Sequence, residues 1–219
     1  AYIFWSFFTL FTQDTAGTFI VYKGTGEQRY LNTAYTISLL IGLVFAVGMI
    51  GASPFVATFF NEPSLTWILI AFAFNLMITS AYYVQVAVMT RQMQYQELSI
   101  AGIITSVTRV ICTVSSALLG CSYWSFVIGD TASWLVGFFL TRYQSRQRYE
   151  IQLDPEIRSE VLSYCLGVSA SSFGFYINAN ADNFIVGKLL GSASLGFYNL
   201  AYQMTMALST ILNSVISQL

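Results

Sequence analysis

Seven long apolar runs, separated by short polar segments, dominate the chain. A helix that crosses the hydrocarbon core of a bilayer needs about 20 mostly apolar residues. Charged residues make up only 9% of the 219 residues and hydrophobic residues 56%, whereas soluble domains carry about 25% charged residues. The sequence therefore predicts an all-α membrane protein, a polytopic bundle of about seven transmembrane helices. The runs occupy residues 1–21, 31–58, 65–88, 98–118, 122–141, 155–189 and 195–218.

Prolines mark two predicted helix starts and one irregularity. Asp154-Pro155-Glu156 combines an N-cap residue, a proline at the first helical position and an acid in the first turn, so the sixth helix should begin near 155. Pro63 suits the first position of the third helix. Pro54 predicts that the second helix bends or ends there.

The basic residues predict the orientation in the membrane. If successive loops alternate between the two sides, Lys188 lies alone on one side and all other loop cations lie on the opposite side. Cytoplasmic loops carry the excess of Lys and Arg, so the basic side is predicted to be cytoplasmic. The other loops, near 61–64, 119–122 and 190–194, are too short to form a catalytic domain. The cations of the basic side are Lys23, Arg29, Arg91, Arg142, Arg146, Arg148 and Arg158.

Arg109 and Asp130 lie within two neighbouring apolar runs, each about ten residues from the Gly120-Cys121 turn. In a helical hairpin they would face each other at one bilayer depth, where an unpaired charge costs at least about 3 kcal/mol. Two interpretations stay open. The pair either joins the hairpin structurally, or lines a polar cavity in which Arg109 contacts an anionic head group.

Further polar residues recur on single helix faces of the sixth and seventh runs. Asn178, Asp182, Asn199 and Gln203 are candidates for lining a substrate path, although interhelical hydrogen bonding would explain them equally well. Asp14, Asp130 and Asp182 are candidates for ion or proton coupling, because the chain has no histidine. The neighbouring Gly167, Ser171 and Gly174 are more typical of close helix packing.

Several classes of chemistry have no support in the sequence. There is no histidine, no CxxC spacing among Cys112, Cys121 and Cys165, and no phosphate-binding GxxxxGK[ST] loop. We therefore expect no metal, no cofactor and no enzymatic activity. The net charge of −1 argues against a nucleic-acid partner. Because both ends lie within apolar runs and the first residue is not Met, the sequence also indicates a fragment of a longer protein.

Three segments carry a family resemblance. Residues 117–130, with Gly120, Trp124 and Gly129, resemble a Gly- and Trp-containing motif of polysaccharide biosynthesis proteins of the oligosaccharide flippase (Wzx-like) type, within the MATE/oligosaccharidyl-lipid/polysaccharide exporter superfamily. Residues 180–202, from Asn180-Ala181-Asp182 onward, resemble a second motif, and residues 90–95 are similar to the family's linker. Cys121-Ser122 departs from the Gly-rich turn that is usual there.

The resemblance implies a parent of twelve to fourteen helices in two homologous bundles. Residues 1–150 would form most of the N-terminal bundle with its cytoplasmic linker, and residues 151–219 the first two helices of the C-terminal bundle. The implied function is alternating-access transport of a lipid-linked oligosaccharide across the bacterial inner membrane, in polysaccharide or lipopolysaccharide biosynthesis. The implied partners are the bilayer, a polyprenyl-diphosphate-linked oligosaccharide and the polysaccharide polymerase machinery.

Two other functions stay open at this point. One keeps the fold and changes the cargo, giving a MATE-like cation-coupled multidrug exporter. The other is a membrane polysaccharide polymerase or glycosyltransferase, which would need a large external loop that these residues do not provide.

Overall fold

The computed structural model describes residues 5, 7–9, 16–23, 27–145 and 147–216, with side chains except at 175, 179, 192, 205 and 207–216. These residues form α-helices joined by short connections, with no strand in the described part of the chain. Asp14 and Arg146 lie outside the described residues. The helices are α1 (Ala16–Lys23), α2 (Gln28–Phe60), α3 (Ser64–Arg91), α4 (Tyr95–Leu118), α5 (Trp124–Ser145), α6 (Pro155–Leu189) and α7 (Gly191–Ile216).

The helical content confirms the predicted fold class. Within the described ranges, the four helices α2 to α5 are long and apolar enough to cross a membrane. Helices α6 and α7 are comparably long, at 35 and 26 residues. The chain is a multi-pass, all-α membrane protein.

The two helix starts that were predicted from prolines are also confirmed. Asp154 precedes α6 and its Oδ1 accepts a hydrogen bond from the Glu156 backbone N–H at 3.1 Å. Pro63 has helical dihedrals, φ −58° and ψ −29°, directly before α3. Helix α7 begins earlier than the predicted residue 195, because Gly191 adopts φ 84° and makes an abrupt break after α6.

Pro54 does not end α2, which continues to Phe60. Proline has no N–H, so the carbonyl of Ile50 loses its normal helical partner. The hydroxyl of Ser53 donates to that carbonyl at 2.7 Å and replaces the missing bond. Ser53 therefore compensates for the backbone hydrogen bond that Pro54 cannot make.

This compensation makes Ser53 a testable stabilising residue. Ser53→Ala is expected to destabilise the full-length protein by about 1 kcal/mol, because the Ile50 carbonyl then has no donor. The S53A/P54A double variant should recover that loss, since replacing the proline with alanine restores the backbone N–H. Thermal unfolding in detergent, followed by tryptophan fluorescence, measures both changes. Equal midpoints for S53A and the unaltered protein would contradict the assignment.

Helices α1 to α5 pack together, α6 packs on α1 and α2, and α7 packs on α6.

Two apolar clusters form the interior. The first lies at the basic end of the bundle, which we define by Lys23, Arg29, Arg91, Arg142, Arg148 and Arg158. Its buried members include Phe19, Ala34, Ile37, Val84, Ile157 and Val161. The second lies toward the opposite end and includes Trp5, Met49, Leu69, Phe72, Leu76 and Val127.

Residues 147–154, here called the linker strap, connect α5 to α6 at the basic end and lie against α2. Tyr149 packs on the ring of Tyr35, with ring centroids 5.0 Å apart, and lies 4.8 Å from the Arg142 guanidinium carbon. Burial raises the pKa of the Tyr149 phenol above its ordinary value, so the group is neutral at physiological pH. The strap is therefore a packed part of the fold.

Candidate functional site

The site is built on the α4–α5 hairpin. Glycines on α5 allow the two helices to approach closely: a Cβ at Gly129 would lie 3.0 Å from the Arg109 carbonyl oxygen, and one at Gly137 would lie 3.1 Å from Thr105 Cγ2. The turn uses left-handed backbone at Gly120 (φ 86°) and Ser122 (φ 47°). Ser122 thus occupies a conformation that glycine adopts more easily, at the place where the sequence departs from the family motif.

Arg109 and Asp130 form an ion pair, with Nε and Oδ1 2.6 Å apart. Their side chains differ in exposure, at 49% for Arg109 and 6% for Asp130. Arg109 lies nine residues before the end of α4 at Leu118, and Asp130 lies six residues after the start of α5 at Trp124, which is about 14 Å and about 9 Å of helix. The predicted pairing of Arg109 with Asp130 across the hairpin is confirmed.

Two cavities adjoin this ion pair. The larger has a volume of about 600 Å³ and includes Arg109, Asp130 and Gln203 of α7 in its wall, together with Phe72 and Tyr123. The smaller has about 160 Å³ and includes Thr105, Ser133 and the rings of Trp5 and Trp134 beside the pair. A volume of 600 Å³ lies within the range of about 300–1,000 Å³ that is common for small-molecule sites.

The structure thus brings three of the sequence-predicted residues, Arg109, Asp130 and Gln203, to one cavity. The aromatic wall, formed by Phe72, Tyr123 and Phe126, was not predicted. Tyr123 lies beside the α4–α5 turn, where aromatic residues are typical of the membrane interface, and nothing in the sequence distinguishes Phe72 or Phe126 from the other phenylalanines of the chain. Only their position beside the ion pair identifies them.

Asp182 lies in a separate cluster on the α6–α7 hairpin. Its Oδ2 accepts a hydrogen bond from the Tyr198 hydroxyl at 2.6 Å, and its Oδ1 accepts one from the Asn183 backbone N–H at 2.8 Å. Asn178 is exposed and Asn199 partly exposed on the same hairpin. These residues do not line the cavity beside Arg109.

The α6 glycines differ from their predicted role. A Cβ at Gly167 or Gly174 would meet nothing within 4 Å, and the Ser171 hydroxyl donates to the Gly167 carbonyl of its own helix. The expectation of close helix packing at these glycines is therefore wrong for the described part of the chain. Gly187 does mark a close approach, since its Cβ would lie 3.1 Å from Leu195 and 3.2 Å from Phe60.

Four helices long and apolar enough to cross a membrane, two of which carry a charged pair beside a cavity, define a multi-pass membrane protein with a polar interior. The chain belongs to the family described as "Polysaccharide biosynthesis protein", whose profile matches residues 1–219. It is therefore a membrane protein of the polysaccharide biosynthesis type.

Two curated relatives are similar over most of the chain. The lipopolysaccharide biosynthesis protein WzxC of Escherichia coli (strain K12) is 22% identical over 190 residues, which is 86% of this chain and 39% of WzxC. The teichuronic acid biosynthesis protein TuaB of Bacillus subtilis (strain 168) is 21% identical over 189 residues, which is 85% of this chain and 39% of TuaB. The chain thus spans well under half the length of these relatives. No solved structure matches the chain.

Proposed function

We propose that the full-length protein transports lipid-linked oligosaccharides across the bacterial inner membrane by alternating access. The observation that carries the proposal is the Arg109–Asp130 pair, which lies within two helices long enough to cross a membrane and beside a 600 Å³ cavity. The family and the names of both relatives support a role in building surface polysaccharides. No covalent bond changes in such a step, so the proposal assigns no enzymatic activity.

Arg109 is the proposed contact for the diphosphate or for an acidic sugar. Its ion pair uses Nε, whereas a guanidinium has five N–H donors, so donors on the terminal nitrogens can bind a phosphate oxygen. Asp130 balances the positive charge when no substrate is bound and fixes the position of the guanidinium. A buried anion beside a half-exposed cation leaves the cation as the partner that substrate can reach.

The remaining cavity wall suits a saccharide. Phe72, Tyr123 and Phe126 offer flat apolar surfaces, and the amide of Gln203 can donate to or accept from sugar hydroxyls. Asn178, Asp182 and Asn199 are proposed to extend this path along α6 and α7. The polyprenyl tail would remain in the bilayer.

Coupling to an ion gradient is proposed to use the carboxylates Asp14, Asp130 or Asp182. The basic end of the bundle is proposed to face the cytoplasm. In the same proposal, residues 1–150 belong to an N-terminal bundle, and residues 151–219 begin a second bundle that rocks against it. Polysaccharide polymerase machinery would then use the exported repeat unit.

The test is lipid flipping by the purified full-length protein in proteoliposomes. The substrate is a polyprenyl diphosphate that carries a fluorescent oligosaccharide, and dithionite reduces the dye only on the outer leaflet. Liposomes with the protein should lose fluorescence beyond the outer-leaflet fraction, and protein-free liposomes should not. Identical quenching in both would refute the proposal, and drug transport without lipid flipping would favour the multidrug exporter.

A further inference from the structure

Helix α2 and the linker strap form a polar seam at the basic end. The backbone N–H groups of alternate strap residues donate to α2 side chains: Glu150 to Asn32 Oδ1 at 3.3 Å, Gln152 to Thr36 Oγ1 at 3.0 Å, and Asp154 to Thr33 Oγ1 at 3.3 Å. These acceptors are buried, with exposed fractions of 2%, 0% and 4% for Asn32, Thr33 and Thr36. Undocking the strap would break these three hydrogen bonds, and each broken bond would cost free energy.

Apolar packing reinforces the same attachment. Ala34 and Ile37 of α2 belong to one buried cluster with Ile157 and Val161 of α6. Arg29 adds an ion pair to Asp154, with Nη2 and Oδ2 2.8 Å apart. That pair is half-exposed and contributes little by comparison with the buried apolar surface.

A second attachment joins α2 and α6 at the opposite end. The Phe59 carbonyl cannot receive a backbone hydrogen bond from residue 63, because Pro63 has no N–H. Lys188 Nζ of α6 donates to this carbonyl at 2.5 Å and lies 3.9 Å from the Phe59 ring centroid. Lys188 thereby joins α6 to the last turn of α2.

Helix α7 is attached differently. Among the described elements it packs closely on α6. It reaches the α3–α5 side of the molecule through Gln203, across the 600 Å³ cavity that contains Arg109 and Asp130. The cavity therefore separates α7 from the ion pair, whereas α2 and α6 are in contact at both ends.

We propose that the α2–α6 seam is the hinge of the transport cycle and that α7 is the wall that moves. The two attachments lie about 35 Å apart along α2. Rotation about the line that joins them preserves both, and changes the distance between Gln203 and the Arg109–Asp130 pair. The cavity then opens and closes on the α5–α7 side. This inference rests on the proposed function, because it assigns the moving parts of that transport.

Spin-label distances in the full-length protein test the hinge. Cys112 and Cys121 are first replaced by Ser and Cys165 by Ala. The seam pair is Thr58→Cys with Leu189→Cys, and the cavity-side pair is Leu118→Cys with Phe197→Cys. All four positions are exposed and none lines the site. Distances are measured in nanodiscs, with and without undecaprenyl diphosphate as the probe.

We expect one narrow, unchanged distance distribution for the seam pair. The cavity-side pair should show a second distance or a shift on addition of the probe. Cross-linking the cavity-side pair should abolish lipid flipping, and cross-linking the seam pair should preserve it. Lys188→Met should broaden the seam distribution, and the cation-preserving Lys188→Arg should not.

These outcomes test the proposed hinge independently of the proposed transport function. A seam distance that shifts with the probe, or a cavity-side distance that stays fixed, overturns the hinge even if the protein flips lipid. Flipping that continues with the cavity-side pair cross-linked overturns it as well. The expected distance changes without any lipid flipping would support the hinge and refute the proposed function.

Discussion

Arg109→Ala should reduce lipid flipping by about 10- to 100-fold in the full-length protein. The guanidinium is proposed to make the charge-assisted contact to the diphosphate, and such hydrogen bonds contribute about 1.5–3 kcal/mol each, with each 1.4 kcal/mol equal to about a factor of ten. The measurement is the initial rate of dye reduction in proteoliposomes at matched protein content. Export of surface polysaccharide by cells at equal expression provides a second readout.

A destabilised protein would also transport poorly, so Arg109→Ala needs a control that keeps the ion pair. The double variant R109D/D130R exchanges the two charges, and should fold better than R109A because no buried carboxylate is left unpaired. It should nevertheless remain inactive, because the cation has moved from α4 to α5. Wild-type flipping by the exchanged pair would show that the pair is only structural.

Gly129→Val should be the most destabilising single substitution in the α4–α5 hairpin. The new Cβ would lie 3.0 Å from the Arg109 carbonyl oxygen, 3.1 Å from Thr113 Cβ, and closer still to the Thr113 hydroxyl. The Arg109 carbonyl belongs to the backbone of α4 and cannot rotate away as a side chain can, so α4 and α5 must separate. Overpacking of this kind costs about 1–3 kcal/mol or more, and the separation would also break the Arg109–Asp130 contact.

Gly48→Val provides the matched control for this substitution. Gly48 also lies within a long helix, α2, but a Cβ there meets nothing within 4 Å. Both substitutions replace Gly with Val inside a helix and have a similar effect on helix propensity. The difference between the stabilities of the two variants therefore measures the effect of packing. Thermal unfolding and the monodisperse fraction on size-exclusion chromatography measure it. Equal stability of the two variants would contradict the close approach of α4 and α5.

Local chemistry explains why the helix starts were predictable. The N-cap at Asp154 and the prolines at 63 and 155 act within one helical turn, so their effect depends on neighbours in sequence alone. The pairing of Arg109 with Asp130 was predictable for a related reason. A short turn between two long apolar runs allows one antiparallel hairpin, in which residues equally distant from the turn meet.

Other features of the site depend on contacts between distant parts of the chain. The aromatic wall combines α3 with α5, and Gln203 comes from α7. Asn178, Asp182, Asn199 and Gln203 share the same sequence pattern, yet only Gln203 lines the cavity beside Arg109. Helical periodicity identifies a common face but does not identify which neighbour that face meets.

By itself, the sequence determined the fold class, the helix starts and the charge pair, because apolar length, capping chemistry and a short turn act locally. Its motifs also indicated the family. Only the tertiary structure decided that Lys188 binds the Phe59 carbonyl and that the linker strap docks on Asn32 and Thr36. It also decided that Gly167 and Gly174 meet no neighbour among the described residues. These features depend on how α2 packs with α6 and the linker strap, although the contacting residues lie more than a hundred positions apart in the sequence. The spacing of residues along one helix does not contain that information.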